Sequence, residues 1–282
     1  MFRHWVFSFL FIISLGVLLG VHTSVHAQYR QLEEPPPMQG SPEILKKIGI
    51  DQKLNAQIPL TLPFKDETGR DISLQEYFGT KPVILAPVYY ECPMLCTLTI
   101  NGVVQSLDQL KTVAGKDFLV VAVSFNPLET PELAMKKKEN YLQMYNRPGS
   151  EAGWHFLTGP ESSIKQLMDS VGFRYAWDES IKQYAHASGV ILLTPQGKVS
   201  KYFYGVQYPP NELQASLTEA GKSQIGKPAD PVLLYCFQYD SATGKYTLIT
   251  RNAMKVGGVI TVLGLVSFIG LMLYRERKHA HR

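Results

Sequence analysis

The sequence predicts a mixed α/β fold. Two apolar runs, VILAPVYY from 83 and FLVVAVSF from 118, are too continuous for half-exposed strands and read as strands buried on both faces. Segments with helical spacing alternate with them, the mark of a sheet covered by helices. A late pair of apolar stretches around Pro195-Gln196-Gly197 reads as a hairpin, which makes the sheet mixed.

Taken in order, residues 58–78 hold a strand pair. Leu60 to Phe64 and Asp71 to Leu74 flank a turn at Asp66-Glu67-Thr68-Gly69. Pro82 to Tyr90 is the first buried strand. Thr97 to Val113 places apolar residues at 98, 100, 103, 104, 107 and 110, a helical stripe. Phe118 to Phe125 is the second buried strand. Thr130-Pro131-Glu132 opens a helix to about Tyr145, with Thr as cap, Pro in the first position and an acid in the first turn. Trp154 to Leu157 is a short strand, and Ser162 is expected to cap a helix through about Val171. Ser188 to Thr194 and Val199 to Tyr204 form the hairpin, and Pro210 to Lys222 is the last helix of this domain. No internal repeat is visible.

The ends read differently. Residues 1–27 resemble a signal peptide: Arg3, an apolar run from Val6 to Val21, and a small residue, Ala27, closing it. An uncleaved anchor is the alternative. Residues 28–44 form a Pro-rich arm containing Glu33-Glu34-Pro35-Pro36-Pro37. The globular domain follows over 45–224, then a membrane-proximal hairpin over 225–255. Val256 to Tyr274 is nineteen residues without a charge. As a helix it spans about 28 Å, close to a bilayer core, and predicts a C-terminal transmembrane helix in contact with lipid. The basic tail 275–282 then belongs on the cytoplasmic side. Both ends predict one topology: a single-pass protein of the cytoplasmic membrane with its main domain on the periplasmic, extracytoplasmic side.

The net charge of +4 comes from these ends. The 228 residues between 27 and 256 carry 23 basic and 23 acidic groups. A neutral domain gives no basic face, so no nucleic-acid partner is expected. Three cysteines are too few for a disulfide scaffold.

The chemistry centres on Tyr90-Glu91-Cys92-Pro93-Met94-Leu95-Cys96, between the first buried strand and its helix. An α/β sheet places ligands there. A helix N-terminus favours thiolate, so the Cys92 pKa is expected to fall. The spacing of four puts both sulfurs on one side of a helical turn. The pair could form a disulfide or share one soft metal ion. A disulfide closing so short a loop removes little chain entropy, so stability is a poor reason for it. Of seven histidines, only His155 and His186 share a compartment with the cysteines. His155 lies within the strand WHFL, its direction set by alternation. His186 lies in the expected loop 183–187, ahead of the hairpin. Two thiolates and an imidazole suit Cu(I) and can hold Cu(II), but the residues alone leave His186 open between a ligand and a plain surface histidine. Cys236 reads as a buried cysteine on an apolar strand, and Met94 as a helix-turn residue.

ECPMLC, VSFNPLETPE, WHFLTG and AHASGVILLTPQGKVSKYFYG, in that order, resemble the SCO1/SenC family over roughly residues 45–222. The resemblance implies a thioredoxin-like fold and a role in cytochrome c oxidase assembly. It implies copper ligands Cys92, Cys96 and His186, a Cys92–Cys96 disulfide on oxidation, and the copper-centre subunit of the oxidase as partner. The alternative is a thiol–disulfide oxidoreductase that keeps the oxidase cysteines reduced, with Cys92 and Cys96 as redox pair. A peroxidase of the peroxiredoxin kind ranks below both, because Tyr89 stands where that class has Thr. One departure is Asn126, where the family usually has Asp. Metal binding is expected to survive it, with thiol redox behaviour or docking the more affected.

Overall fold

The structure is a computed structural model in which Gln39–Arg282 form one compact unit. The structure describes residues 44, 47–92, 95–228, 239–240, 245–246 and 255–270. The expected signal peptide and residues 28–43 of the arm lie outside these, as do Pro93, Met94 and Cys236.

The core is a five-stranded mixed sheet. Its strands are β4 (Val83–Val88), β5 (Leu119–Ser124), β6 (Trp154–Leu157), β9 (Gly189–Leu193) and β10 (Val199–Tyr204), in the order β10-β9-β4-β5-β6. The pairs β4/β5 and β5/β6 are parallel; β4/β9 and β9/β10 are antiparallel. Every residue of β4 is buried, and all but the first of β5, which is why both runs are unbroken in hydrophobicity. Pro87 sits inside β4, where a proline would normally break the ladder. Here the even-numbered residues bond β5, with Leu119 N donating to Pro82 O and Phe125 N to Val88 O. Pro87 therefore faces β9, whose pairing has already ended at Leu85.

Two short strands precede the sheet, β2 (Pro63–Lys65) and β3 (Asp71–Ser73), paired antiparallel as the turn at 66–69 predicts. Helix α1 (Leu95–Asp108) follows β4 and α2 (Pro131–Tyr145) follows β5. Thr130 caps α2 by accepting from Leu133 N, and Asn146, in the left-handed region at φ 40°, closes it. Helices α3 (Glu161–Ser170) and α4 (Pro210–Gly221) complete the set.

Several details differ from the sequence reading, among them the first short strand, which is Pro63–Lys65 where Leu60 to Phe64 was expected. Helix α1 ends at Asp108, short of Val113, because 113–117 close a turn in which Asp117 accepts from Val113 N. Helix α3 begins one residue earlier than Ser162, with Pro160 at the cap position and no side-chain cap. A further hairpin occupies a stretch where no strand was expected: β7 (Phe173–Asp178) and β8 (Gln183–His186). Its strands are too polar to stand out as apolar runs. Cross-strand aromatic pairs hold it, Trp177–Tyr184 at 5.1 Å and Tyr175–Tyr184 at 5.8 Å between centroids. His186 therefore ends a strand and is not a loop residue. A short strand β1 (Gly49–Ile50) adds to the other edge of β7.

Beyond the domain, Tyr239–Asp240 pair antiparallel with Lys245–Tyr246. Residues 255–270 are helical and their apolar side chains are exposed. Among the described residues no helix is long and apolar enough to cross a membrane. The last four residues of the expected span, 271–274, lie outside them.

Candidate metal centre

The register of the sheet assembles the site. Leu85 lies opposite Ile191 in an antiparallel pair, so the residues entering β9 run beside the residues leaving β4. The first carry His186 and the second run into Cys92. Cys96 is the second residue of α1. Cys92 Sγ, Cys96 Sγ and a ring nitrogen of His186 lie within 4.8 Å of one another. Three donors bonded to one ion at about 2.2 Å stand about 3.8 Å apart when trigonal, so closing on an ion needs a contraction of under about 1 Å. Among the described residues no other group of three His, Cys, Asp or Glu is so placed.

Each donor is oriented. His186 Nδ1 is 2.8 Å from Ala187 O, which fixes the proton there in a neutral ring and leaves Nε2 as the acceptor. Nε2 is 3.4 Å from Cys96 Sγ. Tyr89 N donates to Cys96 Sγ at 3.3 Å, and Cys96 N donates to Cys92 Sγ at 3.3 Å. The two cysteines are not joined by a disulfide. Cys96 is 4% exposed, and burial pushes its thiol well above the ordinary value, with the hydrogen bond and charge of Cys92 adding to it. At Cys96, inside the first turn of α1, burial outweighs any stabilisation of the thiolate by the helix N-terminus. A cation replacing that proton would offset the desolvation of the thiolate.

The walls are aromatic. Phe125 and Tyr89 stand edge-on to the His186 ring at 5.1 and 5.8 Å between centroids, with Phe173 at 6.4 Å. Such walls exclude water and lower the local dielectric.

His155 is elsewhere. Its neighbours Trp154 and Phe156 are fully buried, while its own ring lies 4.3 Å from Tyr77, and burial lowers its pKa. The Asn126 side chain is engaged within its own turn: its Oδ1 accepts from Leu128 N in an Asx turn. The sequence reading missed Glu129. This carboxylate is 8% exposed and accepts from Tyr90 N, Glu91 N and Ser124 Oγ. Its place immediately before the helix cap Thr130 signals only a helix start.

Residues 52–221 match the SCO1/SenC family model. A SCO1 protein homolog of Bacillus subtilis (strain 168) is 28% identical over 166 residues, which is 57% of this chain and 80% of that protein. Among solved structures, a candidate electron transfer protein from Aquifex aeolicus VF5 is 26% identical with a TM-score of 0.53, over 61% of this chain and 96% of its own. Arabidopsis thaliana ScoI, solved with copper bound, is 18% identical with a TM-score of 0.48, over 61% of this chain and 99% of its own. The family model spans well over half of the chain and contains all three converging side chains, so the chain belongs to the SCO1/SenC family.

Proposed function

We propose that this chain is a membrane-tethered copper carrier serving cytochrome c oxidase assembly. It takes up copper as cargo on Cys92, Cys96 and His186 and passes it to the copper-centre subunit of the oxidase. The observation that carries this reading is the convergence of the three donors from the loop after β4, from α1 and from β8. Two thiolates and a neutral imidazole are soft ligands, suited to Cu(I) and able to hold Cu(II). Three ligands also leave an approach for a fourth, so an acceptor thiolate can bind before a donor leaves, and the ion moves by ligand exchange. The oxidase as destination is what membership of the family implies.

The proposed organisation is a signal peptide over 1–27, an arm over 28–44, the thioredoxin-like domain over 45–224, a hairpin over 225–255, a membrane span over 256–274 and a cytoplasmic tail over 275–282. It rests on Arg3 before one apolar run and four basic residues after the other.

The second reading is thiol–disulfide exchange. The Cys92 thiolate would attack a disulfide of the partner, forming a mixed disulfide. Cys96 would then displace the partner's second thiol, leaving a Cys92–Cys96 disulfide and a reduced partner. The hydrogen bond between the two cysteines favours this pairing, and the raised Cys96 thiol suits the resolving role.

Metal analysis of the intact chain in detergent separates the readings. Under reducing conditions it should hold one copper per chain. Cys92→Ser and Cys96→Ser should lose it, and so should the fully oxidised protein, because a disulfide sulfur is a poor ligand. Full copper retained after oxidation would exclude these cysteines as the ligands.

A further inference from the structure

One side chain from outside the cysteine loop bonds its backbone, that of Glu129. Glu129 lies at the end of the 126–130 turn, where its own N donates to Asn126 O at 3.2 Å. Its carboxylate crosses to the loop that leaves β4. Oε2 accepts from Tyr90 N and Oε1 from Glu91 N, both at 2.7 Å, and Ser124 Oγ donates to Oε2 at 2.5 Å. These three donors are all neutral. Burial pushes the Glu129 pKa above its ordinary value, against the pull of those hydrogen bonds. A buried carboxylate held only by neutral donors is costly, and a plain loop tie does not need one.

The residues it grips lie between the two that set the sulfurs. Tyr89 N, one residue before the grip, donates to Cys96 Sγ. Cys92 N, one residue after it, donates to Tyr89 O at 3.3 Å. The two carboxylate oxygens take two consecutive backbone N–H groups, which fixes the direction of the chain between these points.

We propose that Glu129 is the positioning residue of the metal centre, its two oxygens fixing the backbone of Tyr90 and Glu91 and thereby the placement of Cys92 and Cys96. The proposal rests on the reading that these cysteines hold copper. It also explains how the 126–130 turn serves the site while Asn126 Oδ1 is engaged with Leu128 N.

The variant that isolates this role is Glu129→Gln. It keeps the size and one acceptor but turns an N–H₂ toward a second N–H. In the reduced, metal-free chain, amide exchange at Tyr90 and Glu91 should accelerate while that of β5 stays slow, and alkylation of Cys96 should speed up. A Cu(I) competition titration on the folded variant should show affinity weakened about 10- to 100-fold, the range for residues that orient ligands. Glu129→Asp, which keeps both oxygens on a shorter arm, should recover part of it. A merely structural role would lower the melting temperature of both variants and leave the affinity of the folded protein intact. A folded Glu129→Gln chain with copper affinity within about threefold of the native chain overturns the proposal. If that variant does not fold, Ser124→Ala removes one donor only and should still weaken copper measurably; unchanged affinity there also overturns it. A native chain that binds no copper would instead overturn the copper reading, and the exchange and alkylation results would still decide whether Glu129 positions the sulfurs.

Discussion

The rings of His155 and His186 answer to different partners. His186 has one nitrogen committed to Ala187 O and the other aimed at Cys96. The His155 ring packs against Tyr77 at a tilt of 41°, near the ion pair of Lys138 and Glu67. His186→Ala should therefore weaken copper by more than the roughly 10- to 100-fold seen when an orienting residue is lost, because a donor itself is removed. His155→Ala should leave copper nearly unchanged. Copper competition titrations of the two variants side by side check this. Loss in the His155 variant with retention in the His186 variant would mean that the third donor is misassigned.

At the scale of the element, α1 must lie close to the segment after β10, because it carries Cys96 into the site. Gly102 permits this: a Cβ there would stand 1.9 Å from Val206 O. Gly102→Ala should cost about 1–3 kcal/mol, the usual penalty of overpacking, read as a lower midpoint in urea. The β2–β3 turn depends on one carboxylate. Asp66 is buried, which opposes ionisation, but it accepts from Thr68 N and Oγ1 and from Arg70 N and Nε. Together these hold its pKa below the ordinary 3.8. A depressed carboxyl adds stability above its unfolded value and loses it as pH falls through the folded one. Asp66→Asn should therefore be less stable than the native chain at neutral pH, and the difference should shrink in acid below 3.8. Denaturation midpoints at the two pH values test it; a constant difference would show that the charge of Asp66 contributes nothing.

For the whole molecule, the proposed topology rests on the charge distribution. The domain is neutral and the basic excess sits at the ends. With Val256 to Tyr274 as the span and 275–282 inside, protease added to spheroplasts should digest the domain and spare the tail. Complete protection of the domain would place it in the cytoplasm. There the Cys92–Cys96 pair would stay reduced and no oxidase copper centre would be within reach.

The strands and helices of the sheet were legible because each is encoded locally. Unbroken apolar runs mark β4 and β5, a 3.6-residue stripe marks α1, and Thr130-Pro131 marks the start of α2. Cys92 and Cys96 were legible for the same reason, being four residues apart at one strand-to-helix junction. Position alone favoured His186 over His155, but whether His186 is a ligand or a surface histidine was not legible without the family resemblance. It depends on the register that sets Leu85 against Ile191, and on a β7–β8 hairpin held by aromatic pairs between strands. Glu129 was wholly hidden, because its partners Tyr90 and Glu91 lie 39 and 38 residues away and its local context shows only a helix start. The sequence by itself determined the fold class, the cysteine pair and the charge asymmetry of the ends, all short-range properties. Only the tertiary structure decided which side chains meet the sulfurs and what holds them there, because long-range pairing and burial set those distances.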